Sequence, residues 1–366
     1  MTEQIAGTLA VVDADLFAVI TGCMTEIIGD DVSSVAKEFQ TAKSSIIVAE
    51  TGGFKGNSYK GYDIIMSALI TQYVEKGLPT IPKQINLLGL VPALDVFWRG
   101  NLLELKRIFS ELGIQVNAFV TPFDDLDSIK KSSQSVLNIV LSDIYGTEAA
   151  NVFEEVHGIP YVNIPLPIGP TATKEFLLEV ARHIEIDQEK LKQVLQAEKT
   201  RYFGFLQNVA EIYNDMDLQR FAVIIGDANY SYALTKFLAD DFGWIPYFVA
   251  ITDTLDEIEQ AKLRQRFTDI KQELRPTLIF ETDTSEIAAK LQKQLTEESG
   301  DYGLAVSPLF VLGSTYDRDL AADLKAGFLS VSYPITNRVI TDQGYSGYRG
   351  GLHLANDILT AIIGSR

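Results

Sequence analysis

The chain has one cysteine, and its surroundings make it the first candidate for chemistry. Cys23 follows the apolar run LFAVIT and opens the stretch CMTEIIGDD. A thiolate at the carboxyl end of a parallel strand faces the crevice where α/β sheets bind ligands, so Cys23 can act there as a metal ligand or a nucleophile. A single cysteine after an apolar strand is also typical of an inert buried thiol, and both interpretations stay open here.

The neighbouring polar residues suggest no nucleophilic triad. Three histidines are predicted to be structural because they lie in or beside helical segments: His157, His183 and His353. Glu26, Asp30 and Asp31 offer paired carboxylates for proton transfer, with helix capping as the alternative for the two aspartates. One cysteine excludes both an internal disulfide and a four-cysteine metal site within the chain. Any metal cluster at Cys23 therefore needs ligands from elsewhere.

Glycine-rich segments offer three further candidate sites. In ETGGFKGNSYKGYD, Gly52, Gly53 and Phe54 form a loop that permits close backbone approach to a ligand or a subunit, although a plain tight loop explains it as well. FAVIIGDANYSYALTKFL reads as strand, turn and helix but lacks the GxGxxG fingerprint, so no NAD is predicted. The glycines of QGYSGYRGGL could hold an anion, and close packing against a partner chain is the interpretation we favour.

Composition excludes several classes of protein. With 49 acidic against 31 basic residues, the formal charge is -18, which repels nucleic-acid backbones and anionic lipid surfaces. The apolar runs are far shorter than the ~20 residues that span a bilayer, so no membrane helix is expected. The start MTEQIAG has no basic region and no cleavage site of a secretory signal. A cytoplasmic protein is therefore expected.

The order of predicted elements indicates an α/β fold. Short apolar or β-branched runs alternate with amphipathic helices from end to end, which is typical of parallel sheets covered by helices. Strands are predicted at residues 16–21, 45–49, 85–90, 116–120, 136–141, 161–165, 221–225, 247–251, 277–280, 304–307 and 328–332. A long polar helix over residues 187–217 interrupts this rhythm and is interpreted as a bridge between domains.

These boundaries predict three Rossmann-like, doubly wound units. The first, residues 1–83, carries Cys23; the second spans residues 84–217 with the bridging helix; the third spans residues 218–366 with a C-terminal helix. The first unit is expected to be incomplete, because it offers too few strands for a covered sheet. A segment missing before Met1 is the interpretation we prefer.

Read in order, the segments resemble the nitrogenase component 1 family, in particular the β subunits of molybdenum-iron proteins and close nitrogenase-like relatives. CMTEIIGDD is the sharpest match, and further matches follow in family order: GGFKGNSYKGYD, KQINLLGL, LKRIFSELGI, VNIPLPIGPTATKEFL, IIGDANYSYALTKFL, SVSYPITNR and GYSGYRGGL. The resemblance implies that Cys23 is one of three cysteines with which this subunit holds the P-cluster, an iron-sulfur cluster shared with the α subunit. It places Gly52, Gly53 and Phe54 in the loop that faces the cluster, with Gly53 where the molybdenum family carries a serine ligand.

The resemblance also implies a function for the intact protein. An α-type subunit would pair with it in an α2β2 assembly, an ATP-dependent iron-sulfur reductase would supply electrons, and these would pass through the P-cluster to a cofactor in the α subunit. The residues 26–31 would lie near the side where the reductase docks. This chain alone is expected to be inactive and free of metal. The alternatives are a cofactor-assembly scaffold or a tetrapyrrole-reductase subunit of the same superfamily, and a cluster-free small-molecule binding protein.

Overall fold

The computed structural model describes residues 1–40, 45–121, 124–215, 218–298 and 306–364. The chain divides into two compact units. The first comprises Met1–Val91, Ile114–Leu141 and Tyr145–Asn163, and the second comprises Pro92–Gly113, Ser142–Ile144 and Ile164–Arg366. The division into three domains at residues 1–83, 84–217 and 218–366 stays a prediction.

The strands follow the predicted apolar runs closely. The described residues contain β1 (Leu16–Ile20), β2 (Ser45–Ala49), β3 (Gln84–Leu88), β4 (Gln115–Asn117), β5 (Leu137–Val140), β6 (Tyr161–Asn163), β7 (Phe221–Gly226), β8 (Ile245–Ile251), β9 (Thr277–Phe280), β10 (Leu309–Gly313) and β11 (Gly327–Ser330). The strand predicted at residues 304–307 falls partly outside the described residues. Its described part is not a strand, and β10 begins two residues after it.

All described sheets are parallel, which confirms the predicted fold class. In the first unit β1 pairs with β2, and a second sheet has the order β4-β3-β5-β6. The sheet of the second unit has the order β11-β10-β7-β8-β9. Since β7 lies in the middle with later strands on both sides, this sheet is doubly wound. The described part of residues 1–83 supplies the two strands β1 and β2, and the incompleteness of a first unit stays a prediction.

In the described residues, at least one helix lies between every two consecutive strands. They are α1 (Thr2–Val11), α2 (Cys23–Ile28), α3 (Val32–Glu38), α4 (Ser58–Gln72), α5 (Trp98–Glu111), α6 (Leu126–Lys130), α7 (Thr147–His157), α8 (Gly169–His183), α9 (Gln188–Asp215), α10 (Ala228–Phe237), α11 (Glu257–Arg266), α12 (Thr284–Glu298), α13 (Arg318–Asp323) and α14 (Gly347–Gly364). The predicted long polar helix is α9; residues 216–217 lie outside the described part, and its bridging role stays a prediction. Within the described ranges, no helix is both long and apolar enough to cross a membrane.

Helix α5 shows how local pattern sets the fold. Apolar residues recur on one face at spacings of three and four and are each at most 3% exposed: Leu102, Leu105, Ile108 and Phe109 in the helix, and Leu112 directly after it. Gly113 follows with φ +76°, a left-handed conformation that ends the helix and that glycine adopts without strain. The predicted helix and its glycine cap are thus confirmed.

The sheet of β1 and β2 packs against a small cluster of buried residues. Ile5 of α1, Ala36 of α3 and Ile46 of β2 are buried together, and partly buried side chains such as Phe17 pack around them. Ile47 and Ala49 of β2 are also buried. The segments that follow the two strands, α2 and the Gly53–Lys55 turn, bury none of their residues. Polar contacts therefore matter most where the strands end.

The glycines near the C-terminus pack against the same unit of the same chain. A Cβ atom on Gly344 would lie 2.3 Å from the Gly100 carbonyl carbon, and one on Gly350 would lie 2.0 Å from the Tyr345 carbonyl carbon. A Cβ on Gly351 would lie 2.7 Å from the Gly169 Cα. The interpretation of these glycines as a contact with a partner chain was therefore wrong: backbone crossings inside the second unit explain them.

We expect Gly100→Ala to destabilise the second unit by on the order of 3 kcal/mol, because the added methyl would overlap backbone that cannot move independently. A Cβ atom there would lie 2.3 Å from the carbonyl carbon of Gln343. The control is Gly204→Ala in α9, where nothing lies within 4 Å of the new Cβ. That change should stabilise slightly, by up to ~1 kcal/mol, through helix propensity. Urea denaturation of both variants tests this, and equal stabilities would contradict it.

Candidate functional site

Cys23 lies where β1 and β2 end together. The two strands pair in parallel from Leu16↔Ser45 to Ile20↔Ala49, so their carboxyl ends are level. After β1 the chain turns at Gly22 and enters α2, whose first residue is Cys23. After β2 it forms a loop that ends in a short 3₁₀ turn, Gly53–Lys55. Parallel pairing thereby brings two loops that lie far apart in sequence to the same edge of the sheet.

The two loops meet at the thiol. The Gly53 N–H donates to Cys23 Sγ at 3.0 Å. A Cβ atom on Gly53 would lie 3.4 Å from the same sulfur, so the loop backbone passes directly over it. Cys23 itself is exposed. The structure thus brings together Cys23 and Gly53, two of the predicted site residues, and leaves the sulfur open to further ligands.

Glu26 links the same two loops one helical turn after Cys23. Its Oε1 accepts hydrogen bonds from the Thr21 hydroxyl and from the Gly52 N–H, the latter at 2.7 Å. Its Oε2 pairs with Lys55 Nζ at 3.0 Å. The Thr21 hydroxyl above all, then Lys55 and the Gly52 N–H, lower the pKa of Glu26 against the opposing effect of burial. Glu26 therefore stays ionised and bonded at neutral pH.

Gly52 and Phe54 complete the loop in different ways. A Cβ atom on Gly52 would lie 2.8 Å from Glu26 Oε2 and 3.0 Å from the Phe54 ring, so only glycine fits between them. The Phe54 side chain is 61% exposed and covers Gly52 rather than packing into a core. The sequence had placed both residues in this loop, but the contact between Gly52 and Glu26 has no sequence signal.

Helix α2 and its neighbouring segments expose apolar side chains. Helix α2 buries none of its residues. Five apolar side chains in α2, at the end of β1 and in the facing loop are each more than 60% exposed: Ile20, Met24, Ile27, Ile28 and Phe54. We call these five residues the α2 surface. Exposed apolar side chains in such number commonly mark a protein–protein contact.

The other candidate residues have structural roles. The Asp31 side chain caps α3 by accepting from the Ser34 N–H at 2.9 Å, which confirms the capping interpretation for Asp31, while that for Asp30 stays a prediction. The ring of His157 contacts the Ile70 carbonyl oxygen, that of His183 contacts the Glu179 carboxylate, and that of His353 contacts the Gly344 carbonyl oxygen. In the part of the chain that the structure describes, no three His, Cys, Asp or Glu side chains are grouped so as to hold a metal.

A buried polar cluster in the second unit had no sequence signal. Asp95 Oδ1 accepts from the Tyr230 hydroxyl at 2.9 Å and from the Phe97 N–H at 2.8 Å, and Asn101 Nδ2 donates to the Tyr230 oxygen at 2.6 Å. Burial first, and the nearby charge of Asp227 second, raise the pKa of Asp95 to about 7. Asp227, from the Gly-Asp turn after β7, caps α10 by accepting from the N–H groups of Asn229 and Tyr230.

Known proteins resemble this chain over nearly its whole length. The family profile described as nitrogenase component 1 type oxidoreductase matches residues 1–363. A light-independent protochlorophyllide reductase subunit of Staurastrum punctulatum is 24% identical over 365 residues, covering 93% of this chain and 66% of that protein. The nitrogenase molybdenum-iron protein beta chain of Bradyrhizobium diazoefficiens is 25% identical over 395 residues, covering 99% and 71%.

A second nitrogenase beta chain and a solved nitrogenase structure are also similar to this chain. The nitrogenase vanadium-iron protein beta chain of Trichormus variabilis is 24% identical over 381 residues, covering 96% of this chain and 76% of that protein. A solved structure titled "Nitrogenase Cp1 at pH 6.5" superposes with a TM-score of 0.77 at 19% identity, covering 99% of this chain and 78% of that one. At this identity the superposition shows a shared fold. The chain spans about two thirds of the length of the reductase subunits it matches.

The Asp95 cluster predicts a pH-dependent stability. In the folded protein Asp95 keeps its proton up to a pKa of about 7, whereas the unfolded chain releases it near pH 4. Between these values the folded state binds more protons, so the stability of the parent falls as pH rises, by up to ~1.4 kcal/mol per pH unit. The variant Asp95→Asn has no titrating group at this position. Its stability relative to the parent should therefore rise from pH 4 to pH 7 and stay constant above pH 7.

Urea midpoints at pH 5, 6, 7 and 8 measure this difference. The control is Asp319→Asn, which changes an exposed aspartate of the same unit. A difference between Asp95→Asn and the parent that stays constant over this pH range would contradict the prediction.

Proposed function

Because the chain belongs to the nitrogenase component 1 type oxidoreductase family, we propose that it is a β-type subunit of a nitrogenase or nitrogenase-like oxidoreductase. Its relatives support the β-type assignment, since the nitrogenase proteins among them are beta chains. The observation that carries the proposal is the geometry at Cys23: an exposed cysteine, a backbone N–H directed at its sulfur, and exposed apolar side chains on the same helix. These features suit a metal ligand that a partner subunit covers.

The residues present fit one corner of an iron-sulfur cluster. Thiolates are the usual protein ligands of such clusters, and the chain has one cysteine. A cluster of the P-cluster type, completed by thiolates from other segments or subunits, would supply electron transfer towards a cofactor in an α-type partner. Cys23 would hold iron, the Gly53 N–H would bond its sulfur, and the Gly52 backbone would let the loop approach closely. The chain's own side chains do not fit a self-contained cluster.

The α2 surface is the proposed docking face for the α-type subunit. Three of its five exposed apolar side chains, Met24, Ile27 and Ile28, lie on the helix that begins with Cys23, so a partner that buries them would also cover that helix and limit the access of water to Cys23. Exclusion of water is needed, because solvent exposure alters the reduction potential of an iron-sulfur cluster. In this arrangement an α2β2 assembly would receive electrons from an ATP-dependent iron-sulfur reductase. The charge of -18 argues against nucleic acid as a partner.

A second candidate is a subunit of a tetrapyrrole reductase. Protochlorophyllide reductase subunits are as similar to this chain as nitrogenase β chains are, at 24% and 25% identity in two examples. The two candidates differ in the substrate that the complex reduces. Assays of the purified complex with N2 and with protochlorophyllide, each with its reductase and ATP, separate them.

Iron content tests the proposed role of Cys23. We expect the chain alone to be isolated without stoichiometric iron and without visible iron-sulfur absorption, because one thiolate cannot hold a cluster. Co-expressed with its α-type subunit, it should bind iron, and Cys23→Ala should lower the iron per complex. Thr25→Ala, on the same helix, is the matched control. A brown sample of the chain alone with stoichiometric iron would refute the proposal, as would a Cys23→Ala complex with undiminished iron.

Light scattering tests the α2 surface. In the absence of a partner, we expect the chain to self-associate as its concentration rises, because exposed apolar area is buried by association. The double variant Met24→Lys with Ile27→Lys should scatter less and bind the α-type subunit more weakly. Val339→Lys changes a side chain of the second unit that is 88% exposed, and should have little effect. Equal scattering by the two variants would count against the docking face.

A further inference from the structure

We infer that Glu26 is a positioning residue, which holds the loop of residues 51–55 so that the Gly53 N–H stays directed at Cys23 Sγ. This inference rests on the proposed role of Cys23 as a cluster ligand. It assigns to Glu26 a role in neither metal binding nor proton transfer. Glu26 acts through the loop, and the paired-carboxylate interpretation of Glu26 with Asp30 and Asp31 is not needed.

The position of Glu26 on α2 makes this possible. Residues three apart on a helix share a face, so Glu26 projects on the same side as Cys23. From there its carboxylate reaches both neighbouring segments: the Thr21 hydroxyl, which directly follows β1, and the Gly52 N–H, which follows β2. A single side chain thus connects the ends of two strands and the helix that carries the thiol.

The contacts of Glu26 bracket Gly53 on both sides. The Gly52 N–H donates to Oε1 at 2.7 Å, and Lys55 Nζ lies 3.0 Å from Oε2. Between these two anchors the chain makes a tight turn, in which the Lys55 N–H donates to the Gly52 carbonyl at 2.9 Å. With both ends of the turn fixed, the direction of the Gly53 N–H is fixed as well. That N–H points at the sulfur, 3.0 Å away.

Burial strengthens the hydrogen bonds of the Glu26 carboxylate. The Glu26 side chain is 8% exposed, although α2 as a whole buries none of its residues. A carboxylate shielded from water loses more when a donor is removed than an exposed one does, because water cannot replace the lost hydrogen bond. Thr21 also accepts from the Thr51 N–H at 3.1 Å, so the same hydroxyl links Glu26 to the start of the loop.

A fixed Gly53 N–H would affect the sulfur of Cys23. Hydrogen bonds to cluster sulfurs withdraw negative charge and help to set the reduction potential. Glu26 would therefore influence a cluster at Cys23 without touching it. Its carboxylate is directed at Thr21, Gly52 and Lys55, which leaves the Gly53 N–H as the donor that faces the sulfur.

The experiment uses the chain as it is, without iron, labelled with 15N-glycine. The amide proton shift and the hydrogen-exchange rate of Gly53 are measured in the parent, in Glu26→Ala and in Glu26→Gln. The matched control is Glu38→Ala, an exposed glutamate of the same unit. Cys23→Ala is combined with each, because removing the sulfur should shift the Gly53 amide only while the N–H points at it.

We expect Glu26→Ala to speed exchange at Gly53 by about tenfold, the effect of losing one ordinary hydrogen bond. It should also abolish the shift that Cys23→Ala causes. Glu26→Gln keeps an oxygen for Thr21 and Gly52 and should restore most of the parent signature; Glu38→Ala should leave it unchanged. If Gly53 behaves alike in the parent and in Glu26→Ala, the inference is overturned.

If the amides of Gly22 and Gly29, which flank α2, show that Glu26→Ala unfolds the helix, Thr21→Val and Lys55→Met decide instead. Each removes one partner of Glu26, and an unchanged Gly53 amide in both overturns the inference. The outcome is separate from that of the proposed function. A Gly53 amide that depends on Glu26 supports the positioning role even if the complex proves to hold no iron at Cys23.

Discussion

The candidate site depends on the parallel pairing of β1 with β2. Because the register runs from Leu16↔Ser45 to Ile20↔Ala49, both strands end at the same level, and residues 30 positions apart become neighbours. An antiparallel pair would send the following loops to opposite edges of the sheet. Helix α2 and the Gly53–Lys55 turn bury none of their residues, so hydrophobic packing alone does not fix the two loops. The polar contacts of Glu26 join the ends of both strands to α2.

Two carboxylates in this chain show how surroundings decide their charge. Glu26 is bonded by a hydroxyl, a backbone N–H and a lysine, and these donors lower its pKa. Asp95 also accepts several hydrogen bonds, but it lies among buried groups and near a second aspartate, so its pKa rises to about 7. The difference follows from the balance between donors and desolvation rather than from the number of contacts. Glu26 can therefore serve as a charged anchor over the whole physiological range, whereas the charge of Asp95 changes within it.

Much of the fold could be predicted from the sequence, because hydrophobic periodicity and turn residues indicate where helices and strands lie. The buried stripe of α5, its Gly113 cap and the runs that became β1 and β2 all have local signals. β10 was missed: the prediction put a strand at residues 304–307, whereas β10 begins at Leu309. Contacts between distant residues have no such signal. The hydrogen-bond partners Thr21 and Gly52 lie 5 and 26 residues from Glu26, and Tyr230 lies 135 residues from Asp95, so only the folded chain shows them together. The glycines near the C-terminus indicate close packing, but the prediction of a partner chain as their neighbour was wrong. A glycine in a sequence indicates that another backbone comes close and does not show which backbone it is.

Gly53 illustrates how one residue can alter this site without altering the fold. A Cβ atom there would lie 3.4 Å from Cys23 Sγ, which is ordinary van der Waals contact, so a side chain such as serine would fit. Space therefore does not require a glycine at position 53. At position 52 it does, because a Cβ atom on Gly52 would lie 2.8 Å from Glu26 Oε2. With glycine, the loop offers the sulfur a backbone donor but no side-chain oxygen. The contacts of Glu26 involve Gly52 and Lys55 rather than Gly53, so a side chain at position 53 would change what surrounds the sulfur without removing them.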